Sequence, residues 1–151
     1  MANGTTTYSI KDSVGAIVSP LAGPFIIAGA SIGVGKIEIS MTTARSEQET
    51  AADGAVMVSY IAGSNGEFSI ECQQTSAMHK YLLVAFNLHQ TAADADDVSE
   101  WAAIVIQLRN ILDGSQHLLT GVSFVKIPPK SYASRGGMIT WPMLSANVIN
   151  L

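Results

Sequence analysis

Residues 53 to 73 read DGAVMVSYIAGSNGEFSIECQ. Ala55 to Ile61 is apolar at nearly every position, whereas Glu67 to Gln73 alternates. Phe68, Ile70 and Cys72 point one way, and Glu67, Ser69, Glu71 and Gln73 the other. Alternation with period two marks a strand with one buried and one wet face. Between the two runs lies Ala62-Gly63-Ser64-Asn65-Gly66, a turn cluster whose Asn65-Gly66 can take positive φ at low cost. The pattern predicts a β-hairpin with one oily side and one polar side.

The same alternation appears upstream, where Ile37, Ile39 and Met41 alternate with Lys36, Glu38 and Ser40. Before it, Ile10 to Val18 reads as a strand weakened by Gly15, and Phe25 to Ile27 as a short β-prone run among turn markers Pro20, Gly23 and Pro24. Met1 to Ser9 is small and polar and reads as a flexible arm. Thr42 to Gly54 is the most polar stretch and carries Arg45, Glu47, Glu49 and Asp53. It joins two strands and exceeds a tight turn, so it is expected to project as a loop, either solvated or serving as a contact arm.

Past the hairpin, Thr75-Ser76 offers an N-cap for a helix over Ala77 to Leu88. Met78, Tyr81, Leu82, Ala85 and Leu88 form one stripe, with Leu83, Val84 and Phe86 on other faces. A helix apolar on most sides is expected to be buried on most sides, partly against a neighbouring subunit. Tyr81, Leu83 and Phe86 are the candidates for that contact. An acidic loop, Thr91 to Glu100, follows, then strands over Trp101 to Leu112 and His117 to Ile127 joined by a turn at Asp113 to Gln116. Pro128-Pro129 stops the second of these, because proline cannot donate to a ladder. Lys130 to Gly137 reads as a loop and Met138 to Leu144 as a last strand, with Pro142 implying an edge position or a bulge.

The chain has 151 residues, enough for a single domain burying roughly 70% of its unfolded surface. Charged residues make up 13%, about half the usual ~25%, and mean hydropathy is +0.29. So little charge implies that part of the surface is covered by other copies. A net charge of -4 argues against a nucleic-acid clamp, which needs clustered Lys and Arg. Ser13 to Gly35 carries no charged residue, but Pro20, Pro24 and five glycines break it, so no membrane span is expected. MANGTTTYS lacks the basic start of a signal peptide.

Candidate chemistry is sparse. Cys72 is the lone cysteine, on an inward strand face, and reads as a small buried hydrophobe. GASIGVGK departs from a P-loop: Ala30 replaces the first glycine, Ile37 follows Gly35-Lys36, and a strand follows where a helix is needed. His79 and His89 are ten apart, which does not stack two metal ligands on one helical face, and His117 sits at a turn. All three read as unrelated surface or interface histidines. The acidic 91–100 loop lacks the spacing of a calcium loop. No nucleophile elbow or paired acid–base signal is present, so neither catalysis nor a cofactor is expected.

Four stretches, VGKIEISMTTARSEQETAADGAVMVS, NGEFSIECQQTS, TGVSFVKIPPKSYA and MITWPML, cover over a third of the chain and resemble the tail tube proteins of tailed bacteriophages. The relatives of that family include the tubes of R-type pyocins and the ring proteins of type VI secretion systems. The resemblance implies a mainly β chain, an antiparallel β-sandwich or partial barrel with one flanking α-helix. It implies hexameric rings stacked into a tube, whose joined strands form a β-barrel around a lumen that conducts DNA during ejection. Implied partners are other copies, the tail sheath or other tail proteins, the baseplate and the tape measure protein. The implied location is the virion tail, assembled in the host cytoplasm. The resemblance leaves contractile and non-contractile tails open.

In such a barrel the side away from the core is the channel. Lys36, Glu38, Ser40, Glu67, Ser69, Glu71 and Gln73 are then expected to line it. A mildly acidic wall repels phosphates, so DNA slides without binding. Arg45, Glu47, Glu49 and Asp53 of the 42–54 excursion are expected to contact the adjacent ring. The competing reading is a monomeric β-sandwich binding or adhesin module, which shares the strand pattern but not the assembly.

Overall fold

The computed structural model describes residues 4–27 and 33–151. A 3-10 turn at Ile10–Asp12 leads into β1 (Ser13–Ser19), β2 (Gly23–Ile27), β3 (Val34–Met41), β4 (Ser46–Thr50), β5 (Val56–Tyr60) and β6 (Gly66–Gln73). The helix α1 (Ala77–Asp94) follows, then β7 (Ile104–Asn110), β8 (Gln116–Phe124) and β9 (Met138–Asn150). Seven strands form one antiparallel sheet in the order β2-β1-β7-β8-β9-β6-β3, curled into a half-barrel. The fold is thus mainly β with one helix. Strands β4 and β5 pair only with each other, outside that sheet.

Burial follows alternation. Phe68, Ile70 and Cys72 of β6, Ile139, Trp141 and Met143 of β9, and Ile104, Ile106, Leu119, Val122 and Phe124 of β7 and β8 all face one side. There α1 covers them with Met78, Leu82, Ala85 and Phe86. Phe86, Phe124 and Trp141 form an aromatic cluster with ring centroids 5.6 to 6.4 Å apart, a geometry favoured by ring quadrupoles. The opposite face of the sheet has no second layer among the described residues. The core therefore lies between helix and sheet.

Several expectations need correction. The apolar run Ala55 to Ile61 does not pair with Glu67 to Gln73. Its strand β5 pairs with β4, from Ser46↔Tyr60 to Thr50↔Val56, while β6 pairs with β3 and β9. The turn between β4 and β5 is set by Asp53-Gly54: Gly54 has φ +91, and Asp53 Oδ1 accepts the Ala55 N–H at 3.0 Å. This is Asp-Gly hairpin chemistry, placed one turn earlier than the Asn65-Gly66 signal. Gly66 does not adopt positive φ. Its small size is needed instead because a Cβ would strike the Ser40 carbonyl oxygen and come within 2.6 Å of Val148 Cγ2.

The helix runs past Leu88 to Asp94, so the acidic stretch begins in its last turn, and the chain leaves it through Asp96 at φ +65. Ser76 caps it as expected, accepting the His79 N–H at 3.1 Å. The buried stripe is rotated from the expected one. His79 and His89 lie on it at 5% and 1% exposure, while Leu88 is 41% exposed. These two histidines are core residues, not surface ones. β9 continues beyond Leu144 to Asn150 in the sheet interior. Pro142 lies one residue past the last β8 pair, Phe124↔Met143, where β9 is bordered by β6 alone, so the edge expectation holds locally. Of the 1–9 arm, residues 5–9 are irregular and mostly exposed. The arm's first three residues and 28–32 of the glycine-rich loop lie outside the described residues.

Candidate functional site

The sheet face turned away from α1 gathers the polar candidates. Antiparallel register sets Lys36 opposite Glu71, Glu38 opposite Ser69 and Ser40 opposite Glu67, with Gln73 at the end of β6. Cross-strand partners share a face, so all seven lie together on β3 and β6. Lys36 Nζ and Glu38 Oε1 are 2.8 Å apart, with both side chains 60% exposed. The hydrogen bond and charge of Glu38 raise the Lys36 pKa, and those of Lys36 lower that of Glu38. An exposed pair of this kind contributes little to stability. Its consequence is a wet, ionised surface. Next to it β9 adds Met138, Thr140, Pro142 and Leu144, opposite Gln73, Glu71, Ser69 and Glu67. Sequence reasoning missed these four, because their strand was read without its register.

The segment between β3 and β6 forms a hairpin arm. Every residue of β4 and β5 is exposed, including Val56 at 55%, Val58 at 60% and Tyr60 at 75%. Register divides the arm into two faces. Ser46, Gln48, Thr50, Val56, Val58 and Tyr60 make a neutral, largely apolar face, and Glu47, Glu49, Met57 and Ser59 an acidic one. Arg45 lies at the base, where its Nη1 donates to the Tyr60 hydroxyl at 3.2 Å and its carbonyl accepts the Ile61 N–H at 2.9 Å. Asp53 is engaged in the tip turn. The apolar face of β5 escaped the sequence reading because an unbroken apolar run was assigned to the chain's own core.

Of the helix candidates, Phe86 is buried in the chain's own core against Phe124 and Trp141. Tyr81 packs on Phe25 and donates its hydroxyl to the Gly23 carbonyl at 2.6 Å, tying the helix to β2. Leu83 is half-buried, and Val84 is 54% exposed. Burial pushes the Cys72 thiol up, which leaves it unreactive.

A family model described as "Bacteriophage PhiTE tail tube protein" matches residues 5–151. No curated protein matches the chain in sequence. Among solved structures, a chain of the anti-feeding prophage baseplate is similar in fold, with TM-score 0.55 and 15% identity, covering 100% of this chain and 97% of that one. A chain from the sheath–tube complex of an extracellular contractile injection system, in the extended state, has TM-score 0.57 and 6% identity, covering 98% and 93%. A chain from the sheath/tube terminator of such a system also has TM-score 0.57 and 6% identity, covering 98% and 99%.

Proposed function

This chain belongs to the bacteriophage PhiTE tail tube family, and we propose from that premise that six copies close into a ring and that rings stack into a tube whose lumen conducts DNA. The observation that carries the reading is the polar face. Seven hydrophilic side chains converge on the side of the sheet that the helix leaves open. The sheet also ends in two edges, β2 and β3, that are unpaired among the described residues. Unpaired edges invite strand addition. Joining β3 of one copy to β2 of the next satisfies both and closes the ring. The open face then becomes the wall of the channel and α1 lies outside.

The role is structural, without catalysis. The β4–β5 arm makes the contact between rings, and Leu83 and Val84 on the outer side of α1 face neighbouring subunits. A chain of like fold occurs in a sheath–tube complex, which favours a sheath as an outer partner, alongside the baseplate and the tape measure protein. Assembly takes place in the host cytoplasm and the product is the virion tail. Negative-stain microscopy of the purified protein tests the reading. Rings or tubes with a stained central channel are expected. Dispersed monomers at high concentration would overturn it and return the binding module.

A further inference from the structure

The β1–β2 corner lies where the main ladder runs out. β1 pairs with β7 from Ser13↔Asn110 to Val18↔Val105, and that pairing stops there. β2 pairs with β1 alone, and the chain turns between them from Ser19 to Gly23, which takes φ +78. Among the described residues, the side-chain hydrogen bonds that reach this corner from outside the hairpin come from α1.

Two helix side chains make them. The Tyr81 hydroxyl donates to the Gly23 carbonyl at 2.6 Å and lies 3.4 Å from that of Ile17, while its ring stacks on Phe25 with centroids 4.9 Å apart. Tyr81 therefore spans both strands of the hairpin. His89 stands eight residues on, about two turns, and so on the same helical face. Its Nε2 is 2.7 Å from Ser19 Oγ, with both residues buried. Ser19 Oγ also accepts the N–H groups of Leu21 and Ala22 inside the turn. Both of its lone pairs are thus occupied, and its proton is left for His89.

This contact tolerates a neutral ring only. A proton on His89 Nε2 removes the acceptor, and the hydroxyl has no lone pair left to receive it. Nδ1 then already carries the hydrogen of the neutral ring, and it is buried without a hydrogen-bond partner. Of the groups packed on the ring, Phe124 of β8, at 6.1 Å between centroids, and Ser19 carry no charge. Glu100, after α1, is the charged group that bears on it, and it favours the protonated form. Acid therefore breaks the bond to the corner and draws the ring towards Glu100. We propose that Ser19, Tyr81 and His89 form a latch by which α1 holds the β1–β2 corner, and with it the edge that receives the next copy, and that protonation of His89 opens it. Tyr81 and His89 act as positioning residues for the joining edge.

The inference rests on the ring reading for the role of the β2 edge, but its first test needs no rings. Amide exchange of dispersed wild-type subunits, read by mass spectrometry and corrected for the intrinsic effect of pH, should show residues 19–27 opening up to about tenfold more often at about pH 5.5 than at about pH 7.5. No like increase is expected in β6, four strands away from β1 in the sheet. In His89→Gln, whose side-chain oxygen accepts the Ser19 hydroxyl at either pH, the acid opening of 19–27 should vanish. Wild-type tubes should fall apart at an acid pH where dispersed subunits remain folded, and His89→Gln tubes should persist there. Equal acid opening in both proteins, or none in the wild type, would overturn the latch. Tubes that keep their length while 19–27 opens would overturn its hold on the joining edge. If His89→Gln does not fold, the wild-type exchange alone decides. Failure of the wild-type protein to form tubes removes the ring reading, while exchange still reads the latch in single copies.

Discussion

Two buried histidines under α1 tie the chain's stability to pH. The indole N–H of Trp141 donates to His79 Nδ1 at 3.1 Å, so that nitrogen must be unprotonated. Ser19 Oγ already accepts the N–H groups of Leu21 and Ala22, at 3.3 and 3.1 Å, so its own proton goes to His89 Nε2, 2.7 Å away. Both rings are therefore neutral in the fold. Burial holds each below the ordinary value of about 6.5, helped at His79 by the Lys130 charge and partly opposed at His89 by Glu100. Because the folded pKa values are lowered, the unfolded chain binds more protons in acid. The associated stability is complete above about pH 6.5 and is lost as pH falls below that value, by up to about 1.4 kcal/mol per pH unit for each ring. Thermal melts of dispersed subunits should fall between pH 7.5 and 5. A His79→Gln/His89→Gln variant should start lower by about 1–3 kcal/mol and show a flatter profile. An equally steep profile in the variant would place the titration elsewhere.

At the scale of elements, the arm is separable from the body. Thr42 and Asn65 bracket it, and the next pair inward, Met41↔Gly66, is already part of the main ladder. Replacing residues 43–64 with a two-residue Asn-Gly turn should close β3 directly onto β6. The excised chain should keep its stability to within about 1 kcal/mol, since β4 and β5 bury almost nothing against the body. It should form single rings that do not stack. Long tubes from this variant would refute the arm as the inter-ring contact. The arm also marks where the sequence was legible and where it was not. Strands β3 and β6 were readable because Ile37, Ile39, Phe68, Ile70 and Cys72 alternate with polar neighbours, and the start of α1 because Ser76 caps it. Strand β4, SEQET, has no apolar residue to announce it, and its pairing with β5 follows from Asp53-Gly54 alone. The helix stripe was misjudged because His79 and His89 were counted as polar, although neutral imidazole with a satisfied hydrogen bond packs as core. The seven polar candidates could be named from alternation, but their neighbours Met138 and Leu144 required the β6–β9 register.

For the whole molecule the sign of the proposed channel wall matters most. Lys36, Glu38, Glu67 and Glu71 give the β3–β6 part of the open face one positive and three negative charges, a net of minus two, and Arg109 of β7 on the same face brings the whole to minus one per copy. In the proposed ring they would make a field that repels phosphate, and the Lys36–Glu38 pair offsets one of the two cations of that face, Arg109 being the other. Changing Glu67 and Glu71 to Lys adds four positive charges and turns the net of the face to plus three. Neither side chain enters the core between sheet and helix, so folding and assembly should survive. The wall would then attract phosphates and release counterions on contact. Tubes of the Glu67→Lys/Glu71→Lys variant should retain a fluorescent DNA fragment at low salt and release it steeply as salt rises. Wild-type tubes should retain none at either salt. Phage carrying the variant should eject DNA more slowly. Because outward-facing lysines would also bind DNA, the fragment should be protected from nuclease only when it lies inside the tube. Variant tubes that bind no DNA, or bind it only in nuclease-accessible form, would show that β3 and β6 do not turn their polar face to the channel.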